Sequence, residues 1–191
     1  MSTRERILDA AARVMRERGV AHATTKEIAR AAGCSEALLY RHFDDKQGLF
    51  MAVLQERMPA FALPDDAAGT GTVEGNLVRL VGGLLDFYAD SFPISASIFS
   101  SSTLLARHRE AIAAHGAGPQ VPHLRLQAYL EAERKAGRVR PDADVEAVAR
   151  LLVGAALHHA FLVAFWGEGN AAEPGLGERL VAPVLPALLT G

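Results

Sequence analysis

Between Thr25 and Lys46 the chain sets hydroxyl, carboxylate, guanidinium and ammonium groups at spacings that suit contact with a DNA duplex. Arg41 carries a planar guanidinium that can donate twice to guanine O6 and N7; a phosphate contact suits the same group. Glu36 can accept from cytosine N4, and Leu38 can touch a thymine methyl. A second role fits Glu36 as well, since a carboxylate in the first turn of a helix complements the helix dipole without touching a base. Ser35, Glu36 and Ala37 open the helix in question, and the first turn of a DNA-reading helix is the part that faces base edges. Thr25 stands near the start of the preceding helix, where a hydroxyl and free N–H groups suit a phosphate.

Other chemistry finds less support. There is no G-x-S-x-G elbow, no H-E-x-x-H and no P-loop, and the sole cysteine, Cys34, lies within the DNA-reading stretch. Asp86 and Asp90, four apart, read as a solvated helix face. His158 and His159 are adjacent and so point in different directions on a helix, whereas a metal site wants His at i and i+4 on one face. A buried polar contact or a ligand hydrogen bond suits them better. Gly69, Gly71 and Gly75 follow no strand and read as a loop. We therefore expect neither an enzyme nor a cofactor or metal.

The elements that position these residues are helical. Thr24 and Glu27 have capping-box spacing, Ile28, Ala29 and Ala32 repeat at helical spacing, and Gly33 ends that helix. Ser35 caps a second helix over Glu36 to His42. Asp44 and Gln47 repeat the capping-box spacing ahead of a helix from about Asp45 to Met58. A helix from Thr3 to Arg18, ended by Gly19, buries Ile7, Ala11, Val14 and Met15 against this pair. Helix, glycine turn, helix is the arrangement whose second helix enters the major groove.

The pattern Thr24…Ile28-Ala29…Ala32-Gly33-Cys34-Ser35…Leu39-Tyr40…His42-Phe43…Lys46…Leu49 resembles the DNA-binding domain of the TetR family of bacterial transcriptional regulators, over about residues 3–57. The resemblance implies that Tyr40, His42 and Lys46 hold the DNA backbone and that the first helix, with Arg4 and Arg6, helps to grip it. It implies that the fourth helix links head to body. Glu36 and Leu38 depart from the common pattern, which has Lys, Arg or Pro, then a small residue, then Thr, so no operator is borrowed from a relative. The expected DNA-binding set is Thr25, Ser35, Glu36, Ala37, Tyr40, Arg41, His42 and Lys46.

Beyond residue 58 every periodic segment is helical. We expect helices over Val73–Ser91, over Ile94–His115 in two pieces with Pro93 in a first turn, and over Pro122–Ala136. A long helix follows from Asp142 or Asp144 to Trp166, and a last stripe, 176–189, is broken by Pro183 and Pro186. The long helix is apolar nearly all round beyond Ala147, which calls for burial on more than one side. The expected fold is all-α: residues 1–57 as a helix-turn-helix DNA-binding domain, 58–191 as a helical ligand-binding and dimerisation domain. The resemblance implies a homodimer through 142–166 and 176–189, and an apolar effector among Phe87, Tyr88, Phe99, His158, Phe161, Phe165 and Trp166.

Composition agrees with a compact protein. Half of the 191 residues are apolar and the net charge is −2, which argues against a general nucleic-acid coat. Residues 1–57 hold ten Lys/Arg against eight Asp/Glu, and the remainder ten against fourteen. That asymmetry suits a DNA-reading head on an acidic body. One cysteine allows no internal disulfide, the N-terminus lacks a secretory apolar region, and the apolar run 151–166 is shorter than a bilayer needs. The expectation is a cytoplasmic regulator, most simply a repressor released from a palindromic operator by an inducer. The alternative is a small-molecule-binding helical protein or enzyme with a degenerate head.

Overall fold

The computed structural model describes residues 1–57, 68–99, 101–114, 118–167 and 173–189, and they are all-α. The helices are α1 (Thr3–His22), α2 (Thr25–Ala31), α3 (Glu36–Tyr40), α4 (Lys46–Glu56), α5 (Val73–Ile98), α6 (Ser102–Ala114), α7 (Val121–Lys135), α8 (Val145–Trp166), α9 (Leu176–Val181) and α10 (Leu185–Leu188), with a 3-10 turn over Ala182–Val184. They form two compact units. One joins Met1–Pro59 to Asp90–Gly116, and the other joins Ala60–Ala89 to Ala117–Gly191. The connection expected around Pro59 and Pro64 lies outside the described residues.

In the first unit, α1 buries Ile7, Leu8, Ala11 and Met15 against Ile28, Leu39, Leu49 and Phe50. Each of the larger of these side chains, removed from water, contributes about 1.5–3 kcal/mol. Three short helices could not supply enough of this surface, and Ile94, Ile98 and Leu104 from α5 and α6 complete the same core. Charged pairs lie around it: Arg4 grips Glu56 with two bonds of 2.6 and 2.7 Å, Arg57 holds Asp9 at 2.6 Å, and Arg18 holds Glu27 at 2.5 Å. Arg4 also stacks over the Phe43 ring, 5.4 Å from its centroid. Its guanidinium thus clamps α1 to α4.

Proline and glycine positions mark where expectation and structure part. Pro93 does not open a new helix; α5 runs through it. The missing N–H costs one backbone bond, but continuity buries Ile94 and Ile98, and the Ser97 hydroxyl bonds the Pro93 carbonyl at 3.1 Å. The same hydroxyl accepts from the Val20 N–H at 3.2 Å. Gly19 breaks α1 as expected, with φ 73° and ψ 158°, yet a further helical turn follows to His22. A Cβ at Gly19 would lie 3.2 Å from the Ser97 hydroxyl.

The second unit is built on α5, α7 and α8, whose Leu77, Leu84, Leu126, Leu130, Ala149 and Leu152 are buried. α9 lies against α5 at Gly177, where a Cβ would stand 3.4 Å from the Val78 carbonyl oxygen, an ordinary contact. A charged pair is set inside this unit. Glu133 is fully buried and takes two bonds from Arg138, at 2.7 and 2.8 Å, and one from the Gly69 N–H at 3.3 Å. Burial pushes its carboxyl up, but the bonds from Arg138 and the Gly69 N–H and the nearby Tyr129 hydroxyl outweigh that and hold it below the usual range. Arg138 also donates to the Thr70 and Gly71 carbonyls and so fastens the segment ahead of α5 to the end of α7.

The 22-residue α8 is capped by Asp144, whose carboxylate accepts from the Ala147 N–H at 3.0 Å. Its expected burial on more than one side is not met within one chain. Val145, Val148, Ala149, Leu152, Val153, Ala156 and Ala160 are buried, while Leu151, Leu157, Phe161, Phe165 and Trp166 stand exposed. The expectation of a segment too short for a bilayer rests on the run 151–166, but the whole 22-residue α8 is, by length and hydropathy alone, long and apolar enough to cross a membrane. Its buried face is the ordinary one of a helix packed on α7.

Gly19→Ala is expected to lower the unfolding free energy by about 1–3 kcal/mol, because that φ/ψ region is nearly closed to residues with a Cβ. Urea denaturation measures it, and an unchanged midpoint would show that the break in α1 carries no strain.

Candidate nucleic-acid interface

The interface begins with two caps. Thr24 accepts from the Glu27 N–H at 3.2 Å, and the Glu27 carboxylate bonds back to the Thr24 N–H at 3.3 Å, the reciprocal pair that its spacing predicts. Ile28 and Ala29 then face the core. Gly33 turns the chain at φ 66°, a left-handed conformation that glycine adopts without steric cost. The Ser35 hydroxyl accepts from the Leu38 N–H at 3.1 Å and starts α3. Cys34 is half-buried against the core, as a small packed side chain.

α3 ends at Tyr40, two residues short of the expected His42. The Arg41 and His42 N–H groups bond carbonyls three residues back, at 3.2 and 3.0 Å, which tightens the last turn. That turn lets Phe43 swing into the core. The cap of α4 also differs from expectation: Asp45, not Asp44, accepts from the Gly48 N–H, at 2.6 Å. This bond, then the Arg107 guanidinium at 3.2 Å, holds the Asp45 carboxyl below its ordinary value.

Of the five residues of α3, only Leu39 is buried. Glu36, Ala37 and Tyr40 are exposed, Leu38 is half-buried, and Arg41 and His42 are exposed just beyond the helix. Thr25, half-buried at the start of α2, meets this surface directly. Its hydroxyl donates to Glu36 Oε1 at 2.5 Å and lies 3.2 Å from the Tyr40 hydroxyl. The structure thus brings Thr25, Glu36 and Tyr40 together, with Ser35, Ala37, Arg41 and His42 around them on neighbouring positions. Lys46 is half-buried in the first turn of α4. The Thr25–Glu36 contact was not legible beforehand, because eleven residues and a glycine turn separate the partners.

The expected effector residues lie on α5 and α8, apart from Phe99, which follows α5. Phe87 and Tyr88 meet edge to face at 5.0 Å on α5, with Tyr88 buried and its hydroxyl pushed up by that burial. His158, Phe161, Phe165 and Trp166 form an exposed aromatic row on α8, with successive ring separations of 6.5, 5.8 and 4.9 Å. Phe99 is 74% exposed and belongs to the other compact unit. An open groove elsewhere is lined by Arg140, Pro141, Asp142, Ala182, Leu185, Pro186 and Leu189, none of them expected ligand contacts. Among the described residues no group of three or more His, Cys, Asp or Glu is placed to hold a metal.

Two capped helices joined by a glycine turn, with the second helix bare on its outer face, have the arrangement of a helix-turn-helix. Residues 7–53 match the family model described as bacterial regulatory proteins, tetR family. On these residues, a quarter of its length, the chain is similar to that family. The HTH-type transcriptional regulator YvkB of Bacillus subtilis is 48% identical over 54 residues, 28% of this chain and 29% of that protein. The HTH-type transcriptional repressor AcnR of Corynebacterium glutamicum is 33% identical over 87 residues, 44% of this chain and 42% of the relative. These alignments span well under half of the curated relatives' length. The fold likeness runs further: a transcriptional regulator assigned to the TetR family from Mesorhizobium loti superposes with TM-score 0.75 at 19% identity, over 98% of this chain and 97% of that one.

Replacing Ser35 with Ala removes the cap of a five-residue helix and is expected to cost about 0.5–2 kcal/mol. Amide exchange at Leu38 and Leu39 should accelerate well beyond that in α1. Equal protection in both proteins would mean that burial of Leu39 alone holds α3.

Proposed function

We propose that this chain is a homodimeric, ligand-responsive transcriptional regulator that represses by occupying a near-palindromic DNA operator. The observation that carries the reading is the outward face of α3, where Glu36, Ala37 and Tyr40 are exposed on a helix anchored from behind by Leu39. In this reading residues 1–57 are the DNA-binding domain and 58–191 the ligand-binding and dimerisation domain. Ser35, Glu36 and Ala37 meet base edges, and Thr25, Tyr40, His42 and Lys46 hold phosphates. Arg41 meets either a guanine or a phosphate. Phosphate contacts set the register, and only the base contacts read sequence.

The dimer supplies the second half-site reader, because a symmetric pair of heads requires a symmetric site. Its natural surface is the apolar face of α8 that one chain leaves uncovered, with residues 176–189 beside it. Water-exposed Leu151, Leu157, Phe161 and Phe165 at helical spacing suit a self-complementary helix pair. The effector is a small, largely apolar molecule held in the helical body, with Tyr88, Phe87 and His158 the residues nearest to such a role. It shifts the protein towards a state whose recognition helices are wrongly spaced, which requires unequal affinity for the two states. The protein works in the cytoplasm, where the operator is.

The reading is tested by selecting bound fragments from random-sequence DNA at moderate salt. Enrichment of one palindrome supports it. No enrichment, with helicity intact, favours the alternative of a small-molecule-binding helical protein or enzyme with a degenerate head, for which the carboxylate on the reading face is the specific observation.

Arg41→Ala is expected to cost about 1–3 kcal/mol and to relax specificity at one base pair if Arg41 reads guanine, whereas Lys46→Ala should weaken all duplexes alike and lower the salt slope by about 1. Unchanged affinity and slope for both would remove these roles. Leu157→Arg with Phe161→Asp is expected to convert a dimer to a monomer in sedimentation; a dimer that survives would place the interface elsewhere.

A further inference from the structure

The cluster of Thr25, Glu36 and Tyr40 does more than expose three polar groups. Thr25 donates its hydroxyl proton to Glu36 Oε1 at 2.5 Å, and the same hydroxyl oxygen lies 3.2 Å from the Tyr40 hydroxyl. Two of these three groups are the hydroxyls assigned above to the DNA backbone. A carboxylate and a phosphodiester offer a hydroxyl the same thing, an anionic oxygen acceptor. Among the described residues Glu36 makes no ion pair, so no cation fixes its carboxylate in this position or neutralises it.

We propose that Glu36 is an intramolecular stand-in for a DNA phosphate, occupying the Thr25 hydroxyl in the free protein and leaving it only when a duplex supplies both a phosphate for Thr25 and a base donor for Glu36. The inference rests on the DNA-binding reading and adds a residue that sets specificity by penalty. Any duplex that docks breaks the Thr25–Glu36 bond and brings a carboxylate among phosphates, which is unfavourable on both counts. A duplex with an exocyclic amine facing the first turn of α3, as cytosine N4 offers, gives the displaced carboxylate a new donor. A duplex without one leaves it unpaired beside the backbone. Glu36 therefore weakens sequence-independent binding more than it weakens binding to the correct site, and in a modestly charged head that difference matters.

The test measures binding of the full-length protein, Glu36→Ala, Thr25→Val and the double variant to a random-sequence duplex and to the selected operator, over a range of salt. Circular dichroism checks folding, and Glu36→Gln, which keeps the side-chain shape, serves if the alanine variant loses helicity. Glu36→Ala is expected to bind random DNA about tenfold more tightly while gaining less on the operator, so that discrimination falls. Thr25→Val is expected to weaken random binding by a larger factor in the Glu36→Ala background than in the parent, because only there is the hydroxyl free beforehand. Random binding unchanged by Glu36→Ala, or an operator gain as large, would overturn the proposal. An equal factor for Thr25→Val in both backgrounds would overturn the displacement and leave a plain charge effect. If all four folded proteins ignore every duplex, the DNA-binding reading falls and takes this inference with it. If all four bind equally, only this inference falls.

Discussion

One buried side chain holds the recognition helix. α3 is five residues long, too short to be stable by its own hydrogen bonds, and of those five only Leu39 reaches the core. Its position is thus set by the core that Leu39 joins, which also holds Ile28 and Ala29 of α2, the stripe of α1, and Leu49 and Phe50 of α4. Gly33 and Ser35 fix where the helix starts, and Phe43 fixes where it must stop. With both ends and the back constrained, Glu36, Ala37 and Tyr40 have no direction left but outward. The reading surface is a consequence of burying one leucine.

The same economy governs charge in the head. Arg4, Arg18 and Arg57 are bonded to Glu56, Glu27 and Asp9 and serve to tie α1 to its neighbours. What remains at the surface around α3 is a small positive excess with a carboxylate in its midst. So small a charge excess gives a weak field at the surface. That Glu36 bonds a hydroxyl instead of an arginine keeps it available to move.

The second unit solves a different problem. Its interior contains an ion pair, Glu133 with Arg138, together with the Tyr129 hydroxyl, which burial pushes far up. The pair is useful because Arg138 reaches past Glu133 to two backbone carbonyls of the segment before α5, so one guanidinium organises a loop that has few apolar residues to bury. On the opposite side of the energy balance stands α8, whose outer face keeps aromatic and leucine side chains in water. So much bare apolar surface is the kind of face that partners cover.

Much of the head was legible from residue types alone, because its determinants are local. The Thr24–Glu27 capping box, Gly33, Ser35 and the period of Ile28-Ala29-Ala32 each act over a reach of about four residues, so sequence spacing is spatial spacing. All-α character beyond residue 58 followed for the same reason. Contacts across long separations were not legible. Pro93 within a continuous α5, Arg4 folded back on Glu56, Arg138 on Glu133 and the loop at Thr70, and Thr25 on Glu36 each depend on how helices pack, which no short-range period encodes. Even α8 illustrates the division: its sequence determined that a long helix would be apolar on all sides, but only the tertiary structure decided which side is buried, because burial is settled by the neighbours a helix finds and not by the helix itself.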